Sequence, residues 1–117
     1  MAQGDITHAE IDGAALSTTA TTTIYTIPAA KTAIFLSLTF CNFDTVARQL
    51  EIRIIESGGA SGNTKRVVAQ STATAMLAGE TQKYTFECLE AGTFIQASID
   101  SGSSVNYRGS VTLKADS

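Results

Sequence analysis

Ala33-Ile34-Phe35-Leu36-Ser37-Leu38-Thr39-Phe40-Cys41-Asn42 decides the fold class. Ile34, Leu36, Leu38 and Phe40 share one parity; Phe35, Ser37, Thr39 and Cys41 share the other. A period of two marks a strand, because successive side chains point to opposite faces. Both faces carry aromatic or thiol groups, which places this strand in the interior of a sheet. Downstream, Leu50, Ile52 and Ile54 alternate with Glu51 and Arg53, the pattern of a sheet with one wet face. Tyr84, Phe86 and Cys88 alternate with Lys83, Thr85 and Glu87, and an apolar run follows at residues 94–100. Val105, Tyr107, Gly109, Val111 and Leu113 then alternate with Asn106, Arg108, Ser110, Thr112 and Lys114.

Turn signals separate these runs: Ile27-Pro28-Ala29-Ala30-Lys31, Asn42-Phe43-Asp44-Thr45, the glycine-rich residues 57–63, Leu77-Ala78-Gly79-Glu80, Glu90-Ala91-Gly92 and Asp100-Ser101-Gly102-Ser103. Weaker strands at residues 22–27, 66–70 and 72–77 bring the total to about eight, enough for an antiparallel β-sandwich of jelly-roll or immunoglobulin-like connectivity. No segment carries a helical apolar stripe; residues 69–76 hold several alanines, yet their Thr and Ser content favours strand or loop.

Residues 1–21 read as an N-terminal extended arm or edge strand, ahead of a sandwich domain at 22–117. As an arm, this segment would order by adding to a neighbouring subunit. Ile6, His8, Glu10, Ile11 and Leu16 are its candidate interface residues, joined by Lys65 and Arg66 beside the glycine-rich turn.

The 117 residues make one domain, with 16% charged and 44% hydrophobic residues and a formal net charge of -3. No basic surface dominates, so the electrostatic attraction behind most nucleic-acid binding is missing. Thr, Ser, Lys or Gly interrupts every apolar run well short of the roughly eighteen residues of a membrane span. The start, Met1-Ala2-Gln3-Gly4-Asp5-Ile6, lacks the basic and then apolar pattern of a secretory signal, so synthesis in a cytosol is expected. In that compartment Cys41 and Cys88 are expected as unpaired, largely buried thiols.

Chemistry is sparse. His8 is the single histidine and has no nucleophile placed beside it. Cys41 and Cys88 lack zinc-ligand spacing, and Asp5, Glu10 and Asp12 lack the pattern of a calcium loop. Gly58, Gly59 and Gly62 lead into Asn63-Thr64-Lys65 rather than the Gly-Lys-Ser/Thr order of a phosphate loop, so a flexible hairpin loop is expected there. The reading is a protein without catalytic residues, metal or cofactor.

Residues 22–42, Thr-Thr-Ile-Tyr-Thr-Ile-Pro-Ala-Ala-Lys-Thr-Ala-Ile-Phe-Leu-Ser-Leu-Thr-Phe-Cys-Asn, resemble small virion structural proteins of tailed bacteriophages. Leu77-Ala78-Gly79-Glu80-Thr81 and Leu89-Glu90-Ala91-Gly92-Thr93-Phe94-Ile95-Gln96-Ala97 extend the likeness over most of residues 22–113. One departure is Ala30, where a Gly is common, which leaves open whether this turn takes a positive φ. The resemblance implies a β-sandwich building block of a virus particle, with no catalytic residues to carry over, and does not by itself place it on the particle. The first expectation is a capsid decoration or cement protein, made in the host bacterial cytoplasm and carried on the outside of the virion. The local threefold positions of such shells suggest a homotrimer that bridges major capsid subunits through the N-terminal arm, and the charge and hydropathy above leave no nucleic-acid or membrane partner expected. A tail, neck or fibre-associated role is the alternative. A host-glycan-binding sandwich is a weaker one and needs exposed aromatics such as Tyr25 or Tyr107.

Overall fold

Alternating β-branched and aromatic residues form eight strands in the computed structural model, which describes residues 5–116. They are β1 (Ile6–Ala15), β2 (Thr23–Thr26), β3 (Lys31–Asn42), β4 (Leu50–Ile55), β5 (Arg66–Ala69), β6 (Thr81–Leu89), β7 (Phe94–Ile99) and β8 (Val105–Ala115). Pairing is antiparallel and nested, β1 with β8, β2 with β7, β3 with β6 and β4 with β5. One long hairpin, rolled on itself, gives this pattern. The added pairs β3 with β8 and β4 with β7 close it into two sheets, ordered β1-β8-β3-β6 and β2-β7-β4-β5. The chain is therefore an all-β sandwich with jelly-roll connectivity, and the immunoglobulin-like alternative is excluded.

The two inner faces interdigitate Leu36, Leu38 and Phe40 of β3 and Val111 and Leu113 of β8 with Leu50 and Ile52 of β4 and Ile95, Ala97 and Ile99 of β7. Phe40 meets Tyr84 of β6 edge to face at 6.0 Å between ring centres. Gly109 faces inward opposite Leu38, where a Cβ would run into the carbonyl of Ser37 and lie 2.9 Å from a Leu38 methyl. The tight approach of β8 to β3 thus depends on a missing side chain.

Three expectations need correction. Residues 72–77 are not a strand; their one sheet-like contact is an isolated bridge from Met76 to Arg48. Between Gln70 and Met76 lie only small Ser, Thr and Ala side chains, which give a strand little to bury. The eighth strand is instead β1. Ile34 leaves the face shared by Leu36, Leu38 and Phe40, because a register shift between Ala33 and Phe35 turns Ala33 inward in its place. The thiols are unpaired, but Cys41 is only half-buried and Cys88 is exposed.

Strands run along the long axis of a molecule 50 × 26 × 19 Å in extent. Four crossovers collect at one end: residues 16–22, 43–49, 70–80 and 100–104. They are knitted by Ile99 N–H to Ser17 O (3.1 Å), Asp100 N–H to Gln49 O (3.1 Å) and Phe43 N–H to Ser104 O (2.7 Å). At the opposite end the segment at Asp5 and Asp116 meets the turn before β3, through Ala115 N–H to Asp5 O and Asp116 N–H to Ala30 O, both 2.9 Å. Ala30 in that turn has φ 59°, so the positive φ is present without the glycine.

Candidate interaction surface

Asn42, the last residue of β3, organises the four-loop end. It is fully buried, and its Nδ2 donates to the carbonyls of Val46 (3.1 Å), Met76 (2.9 Å) and Leu77 (3.2 Å). Its Oδ1 accepts from the Asp44 amide at 2.9 Å. Two loops far apart in sequence are thereby held as one body. On that body Phe43, Val46 and Leu77 stand 66%, 49% and 65% exposed, three of the six exposed large apolar side chains among the described residues. Loops that display apolar side chains on a hydrogen-bonded frame lose little freedom on docking, which favours binding.

Asp44, Arg48 and Glu80 at this end are engaged within the chain. Arg48 donates through Nε to Asp44 Oδ2 at 2.8 Å, pairs with it again through Nη2 at 2.7 Å, and reaches Ser101 Oγ. This holds the Asp44 carboxyl below its usual range, first through the Arg48 side-chain bond and then through the Thr45 amide. Glu80 accepts from the Leu77 amide at 2.7 Å and from Gln82, which lowers its pKa in that order of importance.

Beside Phe43, the outer face of the first sheet opens into a groove of about 470 Å³, walled by Phe43, Ala14, Ala15, Cys41 and Tyr107 and bordered by Arg108. It lies beside the point where β1 carries an extra residue at Asp12 and Gly13 opposite Arg108 and its ladder to β8 is interrupted.

The sequence-derived interface residues do not form one site. Ile6 (56% exposed), His8 and Glu10 lie on the outer face of β1, where His8 Nδ1 is 3.1 Å from Thr112 Oγ1. Ile11 and Leu16 are removed from the candidate set, because they are 5% and 2% exposed within the core. Lys65, at the end of a short 3-10 turn, and Arg66, the first residue of β5, lie at the other sheet, engaged with Glu56 (2.6 Å) and Glu51 (3.6 Å) respectively. The Lys65 bond is the leading cause of a lowered Glu56 pKa.

Nor is the glycine-rich segment a loose loop. Arg53 projects from β4 on the outer face, which was expected to be wet. Its Nη1 donates to Ser61 Oγ at 3.0 Å, its Nη2 to Asn63 Oδ1 at 3.1 Å, and its Nε pairs with Glu51 at 2.9 Å. Ser61 also donates to Gln96 Oε1 at 2.6 Å, fastening the loop across β7. The loop covers Arg53 down to 9% exposure.

Sequence reasoning missed Asn42, Phe43, Val46 and Leu77 as a surface. The available signal was a large aromatic at Phe43 within an otherwise polar turn. Tyr25, Tyr84 and Tyr107 all pack partly against the core. Burial raises the Tyr25 pKa. Among the described residues no group of three or more His, Cys, Asp or Glu gathers as a metal site, and no helix is long and apolar enough to cross a membrane.

No protein-family model matches the chain, and no curated protein matches it by sequence. Solved structures do. A chain of the cyanophage Pam1 capsid asymmetric unit superimposes with a TM-score of 0.51 at 12% identity, over 97% of this chain and 86% of that one. The coat protein of Tobacco streak virus gives a TM-score of 0.50 at 9% identity, over 96% and 87%. The fold is that of a viral-capsid-like β-sandwich.

Proposed function

We propose that the chain is a structural protein of a virus particle, without catalytic activity, that decorates the outside of a tailed-phage shell and bridges major capsid subunits. The observation that carries this reading is the near end-to-end match to a chain of similar length in a phage capsid asymmetric unit. Fold likeness is joined by the phage-protein resemblance of the strand-turn-strand segment 22–42.

The docking surface we assign is the four-loop end, not a free N-terminal arm. Residues 6–15 are committed to β1 along β8, and Ile11 and Leu16 are spent in the core. Phe43, Val46 and Leu77 offer apolar area to a shell subunit, and the paired Asp44 and Arg48 avoid burying an unmatched charge. Burying Phe43 and Leu77 is worth roughly 2 kcal/mol each, and repetition over a symmetric shell multiplies a modest contact into stable occupancy.

The test is particle occupancy, measured by quantitative mass spectrometry of gradient-purified virions from cells expressing the chain or its Phe43→Ser/Leu77→Ser variant. The reading expects the wild type in the particle band, and occupancy of the variant reduced roughly tenfold or more with an unchanged unfolding midpoint. Absence of the wild-type chain from particles rejects the virion role. Recovery only with tails or necks moves it there, and full occupancy by the variant removes the four-loop end as the contact.

A further inference from the structure

Sheet edges differ sharply in what they offer. β2 and β5 are four residues long, and the ladder of β1 is interrupted at Asp12 and Gly13. β6, the remaining edge, pairs with β3 residue for residue from Thr81 to Glu87 and contains no proline. The Asn42 amide bonds the Glu80 carbonyl at 2.9 Å, which sets the phase of the ladder. In an antiparallel pair, alternate residues turn both backbone groups to the neighbour. Gln82, Tyr84 and Phe86 therefore serve β3, and the N–H and C=O groups of Thr81, Lys83, Thr85 and Glu87 point away from the sheet. Such a row is a template for another strand.

The exposed side chains on that row are Thr81, Lys83, Thr85 and Glu87. Among the described residues neither Lys83 nor Glu87 has an ion-pair partner within the chain. We infer that a second copy of this chain adds here, antiparallel, about a two-fold axis through Thr85. In that register Lys83 lies opposite the partner's Glu87, Glu87 opposite the partner's Lys83, and Thr85 opposite its own equivalent. Registers centred on Lys83 or Glu87 satisfy the same backbone phase but set like charges against each other. Registers centred on Gln82, Tyr84 or Phe86 keep that phase too, but of all these only the one centred on Thr85 sets Lys83 opposite Glu87. On the inner side Tyr84 falls opposite the partner's Phe86, an aromatic cross-strand pair of the kind that stabilises sheets.

A lysine on an edge normally discourages pairing; Glu87, two paired positions along the same face, converts it into half of a self-complementary set. Gln70 and Gln82 (2.7 Å) and Tyr84 with Gln82 (2.7 Å) close the seam between the sheets beneath β6, so the flank is a filled wall. Cys88, with φ 56°, ends the regular edge after Glu87. The contact is independent of the virion reading, and the trimer suited to threefold positions of a shell is its competitor.

The test is the solution mass of the full chain by light scattering over a concentration series, with circular dichroism on every variant. The wild type is expected at twice the chain mass. K83E and E87K alone each create two like-charge contacts by symmetry and should weaken association roughly tenfold or more, whereas the double swap K83E/E87K should restore it. A wild-type trimer, a monomer up to about 1 mM, or a dimer indifferent to the single reversals overturns the assignment. Association lost in both single variants and regained in the double swap supports it, whether or not the chain is found on particles.

Discussion

Asn42 donates to the carbonyl of Met76 at 2.9 Å from a site wholly closed to water. With its bonds to Val46 and Leu77, that amide takes the place of the sheet ladder the two loops do not have. Asn42→Ala should cost about 2–3 kcal/mol, since it leaves buried carbonyls short of a donor. Denaturant unfolding reads the loss. Hydrogen exchange should show residues 43–47 and 77–80 released first, and even protection across the molecule would refute the tethering role.

Gly109→Ala should destabilise by about 2–3 kcal/mol. The added methyl meets the Ser37 carbonyl and a Leu38 methyl, so β8 must move away from β3 or Leu38 must change rotamer. Thermal unfolding measures it. A variant as stable as the wild type would mean the two strands have slack the geometry does not show.

Ala30→Gly should have the opposite sign. A non-glycine residue at φ 59° carries a left-handed penalty of roughly 1 kcal/mol, and the residue is exposed with no packing to lose. We expect Tm to rise by roughly 4 °C. Ala30→Val should lower it, because a β-branched side chain tolerates that conformation less well.

Acid should loosen the four-loop end. Asp44 and Glu80 are both held below the ordinary carboxylate range in the folded chain, chiefly by the Arg48 side chain and the Leu77 amide respectively. A depressed carboxylate contributes stability that is complete above its unfolded pKa and fades as pH falls through the folded one. Stability should therefore be flat down to about pH 5 and decline below about pH 4. Asp44→Asn and Glu80→Gln should flatten that decline while lowering stability at neutral pH; a pH profile unchanged by both would count against the assignment.

Legibility in the sequence followed the regularity of each strand. β3, β4, β7 and β8 announce themselves because their inward residues keep one parity over most of their length. β1 leaves an edge strand and an arm both open, since Ile11 and Leu16 both point inward although they differ in parity; the extra residue at Asp12 and Gly13 changes the phase between them. Ile34 was misassigned for the same reason, a local shift that no count of apolar positions registers. The interface candidates on β1 failed at Ile11 and Leu16 because apolar residues in a polar segment can serve a core as well as a partner. Arg53 was read as wet because its cover comes from residues 61–63, whose path across the sheet depends on Gln96 and Asn63 rather than on any local pattern.

The segments at Asp5 and Asp116 lie together at one end of a body 50 Å long, and the four crossovers lie at the other. The two described ends of the chain therefore lie on the far side of the body from Phe43, Val46 and Leu77. With those side chains set against a shell, as proposed, both ends would face away from it, like the top of a mast above its step.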